Sequence, residues 1–150
     1  MEPFTLAPLI TASMLAFGAP APAEQSAQIG IYELPAVSGL WELSSTTTTQ
    51  TNCQERYNFG RDGQLKTVSG AEITYGQYAY VAQPEGLAIL AIQTVHDNNA
   101  PDCSGAQVDQ SGDVFSTFVS LDSRHDPSVM QWCSDPVGQN CHATLQRILP

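Results

Sequence analysis

From Gly39 to the end, the chain is written largely in period two. In Gly39–Ser45, the side chains of Trp41, Leu43 and Ser45 share one face, and Leu40, Glu42 and Ser44 the other. Cys53, Glu55, Tyr57 and Phe59 alternate in the same way, and Gly60-Arg61-Asp62-Gly63 then supplies a hairpin turn with Asp-Gly at its tip. Further strands are predicted over 64–69, 76–81, 87–92, 114–121, 128–133 and 141–148. Turns or loops separate them, the longest running from His96 to Asp113, and no helical period of any length interrupts the pattern. The expectation is an all-β chain forming an antiparallel up-and-down β-barrel of about eight strands. Closure removes the sheet edges that a sandwich would leave open.

One segment breaks the alternation. Leu87-Ala88-Ile89-Leu90-Ala91-Ile92 is apolar on both faces, as in a strand covered on both sides. Its outer face needs a cover, and two candidates are residues 24–38 and a second copy of the chain, which makes a homodimer possible. Alternation alone assigns Tyr57, Phe59, Tyr78, Tyr80, Leu90, Ile92, Phe115 and Trp132 to the barrel interior as candidate ligand-binding residues. Side chains that simply fill the interior are the alternative at these positions.

Three short motifs carry a family resemblance: Gly39-x-Trp41 at the head of the first strand, Phe59-x-x-Asp62-Gly63 at a hairpin, and Gly76-x-Tyr78 at a strand start. The chain resembles a small exported bacterial barrel of the lipocalin-like, calycin type over about residues 39–148. That resemblance implies that Trp41 closes the barrel floor and that Arg147, on the last strand, lies across its ring as a structural cation–π lid. It further implies a non-catalytic barrel that binds a small apolar or amphipathic ligand.

The amino end adds a compartment. Phe4–Phe17 is mostly apolar, and Ala21-Pro22-Ala23 has the small-x-small form of a signal-peptidase site, although no Lys or Arg precedes the apolar run and Pro8 interrupts it. Residues 1–23 are therefore expected to be a signal peptide, 24–38 a leader segment and 39–150 the barrel domain. The apolar run is too short and broken for a membrane span. Cys53, Cys103, Cys133 and Cys141 contain no Cys-x-x-Cys pair, so they read as disulfides of a periplasmic or secreted protein. Of three possible connectivities, Cys53–Cys103 and Cys133–Cys141 are favoured, the second closing a hairpin.

Lys and Arg number 5 against 15 Asp and Glu, a net charge of -10 that disfavours nucleic acid and anionic membranes as partners. It suits solubility first and a basic protein partner second. No Gly-x-Ser-x-Gly elbow, phosphate loop or His-Glu-x-x-His helix is present, so neither catalytic residues nor a cofactor are expected. His96, His125 and His142 match no compact metal motif. Asp97, Asn98, Asn99, Asp102, Asp109 and Asp113 supply oxygen donors, but their spacing fails the EF-hand template, and Asx turns account for them better than a metal does. Glu55 is a possible inward ligand contact if it is not solvated at the barrel mouth. The rival to a small-ligand barrel is an envelope protein–protein interaction module, such as an inhibitor of a basic, lysozyme-type enzyme, with the acidic loop 97–113 as its contact surface.

Overall fold

A computed structural model of the chain describes residues 35–44 and 53–150. The expected signal peptide and residues 24–34 of the expected leader lie outside the described residues. Within them the chain forms eight strands: β1 (Gly39–Leu43), β2 (Glu55–Phe59), β3 (Gln64–Ser69), β4 (Glu72–Val81), β5 (Ala88–Asp97), β6 (Val114–Leu121), β7 (Val129–Cys133) and β8 (Cys141–Leu149). They close into a barrel in sequence order, each antiparallel to its neighbours, with β8 returning to β1. No helix occurs among the described residues.

The closing seam explains Gly39. Its φ is +123°, and a Cβ there would stand 2.6 Å from the carbonyl oxygen of Leu149. Only glycine lets β1 and β8 come this close. Two residues on, Trp41 is fully buried, donates its indole N–H to the Val37 carbonyl at 2.8 Å, and pairs across the seam with Arg147. The guanidinium carbon stands 4.7 Å from the Trp41 ring centroid, and one of its N–H groups donates to the Ala36 carbonyl at 2.8 Å. A planar, weakly hydrated cation suits this place because it can stack on the ring while its edge makes hydrogen bonds.

Around that floor the inward positions are apolar. Val37, Trp41, Phe59, Leu90, Met130 and Leu145 are all at most 1% exposed. Tyr78 joins them, its ring edge-on to Phe59 at 5.0 Å and its hydroxyl donating to the Gly60 carbonyl. Burial holds the Tyr78 and Tyr80 hydroxyls above the usual phenol range.

Several boundaries differ from the expected ones. β4 begins at Glu72 because Gly70-Ala71 makes a two-residue hairpin in which Ser69 pairs with Glu72. β5 runs on to Asp97, so the long loop begins at Asn98 rather than His96. Between the pairs Gly76–Thr94 and Tyr75–His96 the register shifts, leaving Val95 as the extra residue of a bulge. Gly76 permits it, because a Cβ there would collide with the Gln93 carbonyl oxygen. The bulge changes the phase of β5, so that Asp97 is 8% exposed while His96 is exposed beside the Tyr75 ring.

The two disulfides are Cys53–Cys103 and Cys133–Cys141. The second closes the β7–β8 loop, which bends over to the start of β5, where the Leu87 amide donates to the Pro136 carbonyl at 2.9 Å. Leu87 is half-buried there, and a Cβ on Gly138 would lie 3.3 Å from its side chain. Part of the cover sought for the apolar 87–92 segment is therefore this loop.

Candidate binding cavity

Above the packed floor the barrel is hollow. A cavity of about 280 Å³ opens at the end that carries the β3–β4 turn and the β5–β6 loop. Its wall follows from the same alternation that builds the floor, continued along each strand to polar residues. β2 brings Phe59 to the floor and Tyr57 and Glu55 to the cavity, while β3 brings Leu65, then Thr67 and Ser69. β4 contributes Glu72, Thr74 and Gly76, and β5 contributes Ile92 and Thr94. The remaining wall is Phe115 of β6, Trp132 of β7, and Asp102 and Gln110 of the loop.

That loop is held over the cavity by covalent and hydrogen bonds. Cys103 is joined to Cys53, and its amide donates to the Ser69 hydroxyl at 3.1 Å. The amides of Ala71 and Glu72 both donate to the Pro101 carbonyl. Gln110 spans the mouth, its backbone amide donating to Asp97 at 2.8 Å and its side-chain amide to Glu72 at 3.1 Å. The bulge in β5 thus has a consequence for the site, because it delivers Asp97 to the residue that roofs the cavity.

Two glutamates dominate the electrostatics. Glu55 accepts hydrogen bonds from the Tyr57 hydroxyl and, at 3.3 Å, from the Ser69 hydroxyl. Burial, followed by the charge and hydrogen bond of Glu55, pushes the Tyr57 hydroxyl well above its usual range. Glu72 is only 5% exposed. Burial raises its carboxyl above the ordinary value, and the charges of Asp97, Asp102 and Glu55 add to this, against the lowering effect of the Gln110 hydrogen bond.

None of the chain's five Lys and Arg residues is in the wall. Arg56 faces outward in a 2.8 Å ion pair with Glu42, and Lys66 lies 5.6 Å from the Tyr75 ring. Arg147 belongs to the floor. Arg61 and Arg124 are in the turns after β2 and β6, at the opposite end from the mouth.

The aromatic side of the wall is a contiguous group. Trp132 meets Tyr57 edge-on at 4.9 Å and Phe115 at 5.6 Å between ring centroids. Phe115 is 43% exposed, an unusual condition for a phenylalanine on the inner face of a barrel. Trp132 is 6% exposed, yet its indole N–H has no acceptor among the described residues.

Of the eight candidate ligand-binding residues, Tyr57, Ile92, Phe115 and Trp132 line the cavity. Phe59, Tyr78 and Leu90 are instead packed in the floor, and Tyr80 lies half-buried against that core rather than in the wall. Alternation finds the inner face but carries no information on which level of the barrel stays open. Glu55 does reach the cavity. Glu72, Gln110 and the polar set on β3 to β5 were missed, although the alternation of Leu65, Thr67 and Ser69 already points them inward.

Four of the six candidate oxygen donors, Asp97, Asn98, Asp102 and Asp109, bind backbone amides. Asp97 accepts from the amides of Asn99 and Gln110, Asp102 from those of Ser104 and Ala106, and Asp109 from that of Ser111. Asn98 accepts from the amides of Ile73 and Ala100. These are the Asx turns expected of such a loop.

No protein-family model matches this chain, and neither the curated proteins nor the solved structures contain a match to it. The closed eight-stranded antiparallel barrel is compatible with a lipocalin-like fold.

Proposed function

We propose that the chain is an exported, lipocalin-like carrier that holds one small amphipathic molecule in the open half of its barrel and performs no catalysis on it. The observation that carries this reading is the cavity itself, about 280 Å³ of space between an aromatic group, Tyr57, Phe115 and Trp132, and a larger set of hydrogen-bonding residues. A protein interior normally closes such a space. Its size is at the lower edge of ligand pockets, which run to about 300–1,000 Å³, so the reading is for a compact molecule and not a long acyl chain. The two disulfides suit the oxidising compartment that an export signal would lead to.

The alternative, capture of a basic protein by the loop, has less behind it. The carboxylates of Asp97, Asp102 and Asp109 are committed to folding the loop back on itself, and the loop is fastened to the mouth of the cavity.

The test is a thermal-shift series with compact aromatic alcohols and amines, run beside native mass spectrometry of the freshly exported protein. A saturable rise in melting temperature is expected. Ligand at a hundred times its Kd stabilises by about 2.7 kcal/mol. A bare native mass together with no saturable shift for any compound would contradict the proposal.

A further inference from the structure

We infer that the cavity takes a small organic cation, an apolar or aromatic body carrying a protonated amine. The inference rests on the carrier reading of the same cavity and narrows it by chemistry. Glu55 and Glu72 both line the space, with Asp102 at its rim, and no Lys or Arg lies among the lining residues to balance them. A carboxylate as enclosed as Glu72 is costly to hold without a counter-charge. Its one side-chain donor is the neutral amide of Gln110, and Glu55 receives only two hydroxyls. A carboxylate offers about four acceptor positions, and an ammonium brings three donors and the missing charge.

The second observation is independent of the acids. Tyr57, Trp132 and Phe115 form an aromatic wall to the same space. Aromatic faces attract cations, most of all where water is displaced, and their bulk takes the apolar part of an amine. An anionic ligand such as a fatty acid meets the opposite conditions, since its carboxylate would face two glutamates.

Calorimetry with three nearly isosteric probes tests the inference: 2-phenylethylammonium, 2-phenylethanol and 3-phenylpropionate, at neutral pH and low salt. The ammonium should bind at least about tenfold more tightly than the alcohol, and the carboxylate should show no saturable heat. Glu72→Gln keeps the acceptor for Gln110 and should weaken the ammonium about tenfold while changing the alcohol far less. Glu55→Gln is the second variant, and circular dichroism shows whether each is folded. Equal affinity for the ammonium and the alcohol, or an ammonium affinity untouched in both folded variants, overturns the cation inference and leaves the carrier reading standing. No saturable heat from any of the three probes overturns both.

Discussion

The two halves of the barrel are built with the same alternation, and they do different work. At the floor the inward positions are Trp41, Phe59, Leu90, Met130 and Leu145, and nothing but side chain fills the space. Toward the other end, the inward positions of β2, β3 and β4 become Tyr57 and Glu55, Thr67 and Ser69, Thr74 and Glu72, and a cavity opens. Hydrophobic burial and dispersion stabilise the first half. The second forgoes part of that and keeps carboxylates close together, which is a cost to stability that a bound molecule can offset. The difference teaches that in a closed barrel alternation sets which residues face inward, while residue chemistry along one strand sets where the interior stays open.

The largest expected contrast comes from truncation at matched levels. Leu90→Ala, at 0% exposure, should destabilise by about 2–5 kcal/mol, whereas Thr67→Ala in the cavity wall should cost less than about 1 kcal/mol. Urea denaturation of both variants measures this, and equal losses would mean that the two halves are equally packed.

Removing the Cys53–Cys103 bond by a double substitution to serine should cost about 2–4 kcal/mol. Its signature is local. Amide hydrogen exchange should accelerate over residues 98–113 and stay slow around Trp41, since the bond holds the loop of the open half only. Uniform acceleration would erase the distinction.

Arg147→Met removes the cation over Trp41, its hydrogen bond to Ala36 and its ion pair with the exposed Asp126. The expected loss is about 1–2 kcal/mol by thermal denaturation, nearly all from the stacking and the carbonyl contact, because an exposed ion pair adds little. Affinity at the cavity should not change.

The smallest effect is electrostatic. Glu72 titrates higher in the folded chain than in the unfolded one, so the fold binds its proton more tightly. Its penalty is absent below the unfolded value of about 4.3 and complete once pH exceeds the folded value. Glu72→Gln should therefore raise the melting temperature slightly at neutral pH and not at pH 4. Asp102, Asp109, Asp122 and Asp135 are shifted the other way by hydroxyl and backbone donors, Ser104, Ser111, Ser128 and Gln139 foremost. Their contribution is present above about 3.9 and fades as pH falls through their lower folded values. An unchanged profile in the Gln variant would show that the acids of the open half do not oppose folding.

Much of this architecture was legible in the chain. Period-two runs, the Asp62-Gly63 turn and the cysteine spacing are local signals that lead to eight strands and both disulfides, while the tryptophan floor under Arg147 follows from the resemblance that Gly39-x-Trp41 carries. The site was legible in part. Alternation places Trp132 and Tyr57 on the inner face, but the same rule draws in Phe59 and Leu90, which fill the floor. Asp97 was out of reach by counting, since the extra residue at Val95 inverts the phase and only pairing between strands reveals a bulge. Gln110 was hidden for another reason: a loop side chain has no period, and its place over Glu72 depends on a disulfide and hydrogen bonds far apart in sequence.

The chain carries one tryptophan for each half, and this gives the most direct test. In a ¹H–¹⁵N spectrum, the two indole N–H signals report the floor, where Trp41 is bonded to Val37, and the cavity wall, where Trp132 has no acceptor among the described residues. Titration with 2-phenylethylammonium should move the Trp132 signal saturably and leave the Trp41 signal in place. Movement of Trp41 alone, or of both signals together, would contradict a barrel that is solid at one end and receptive at the other.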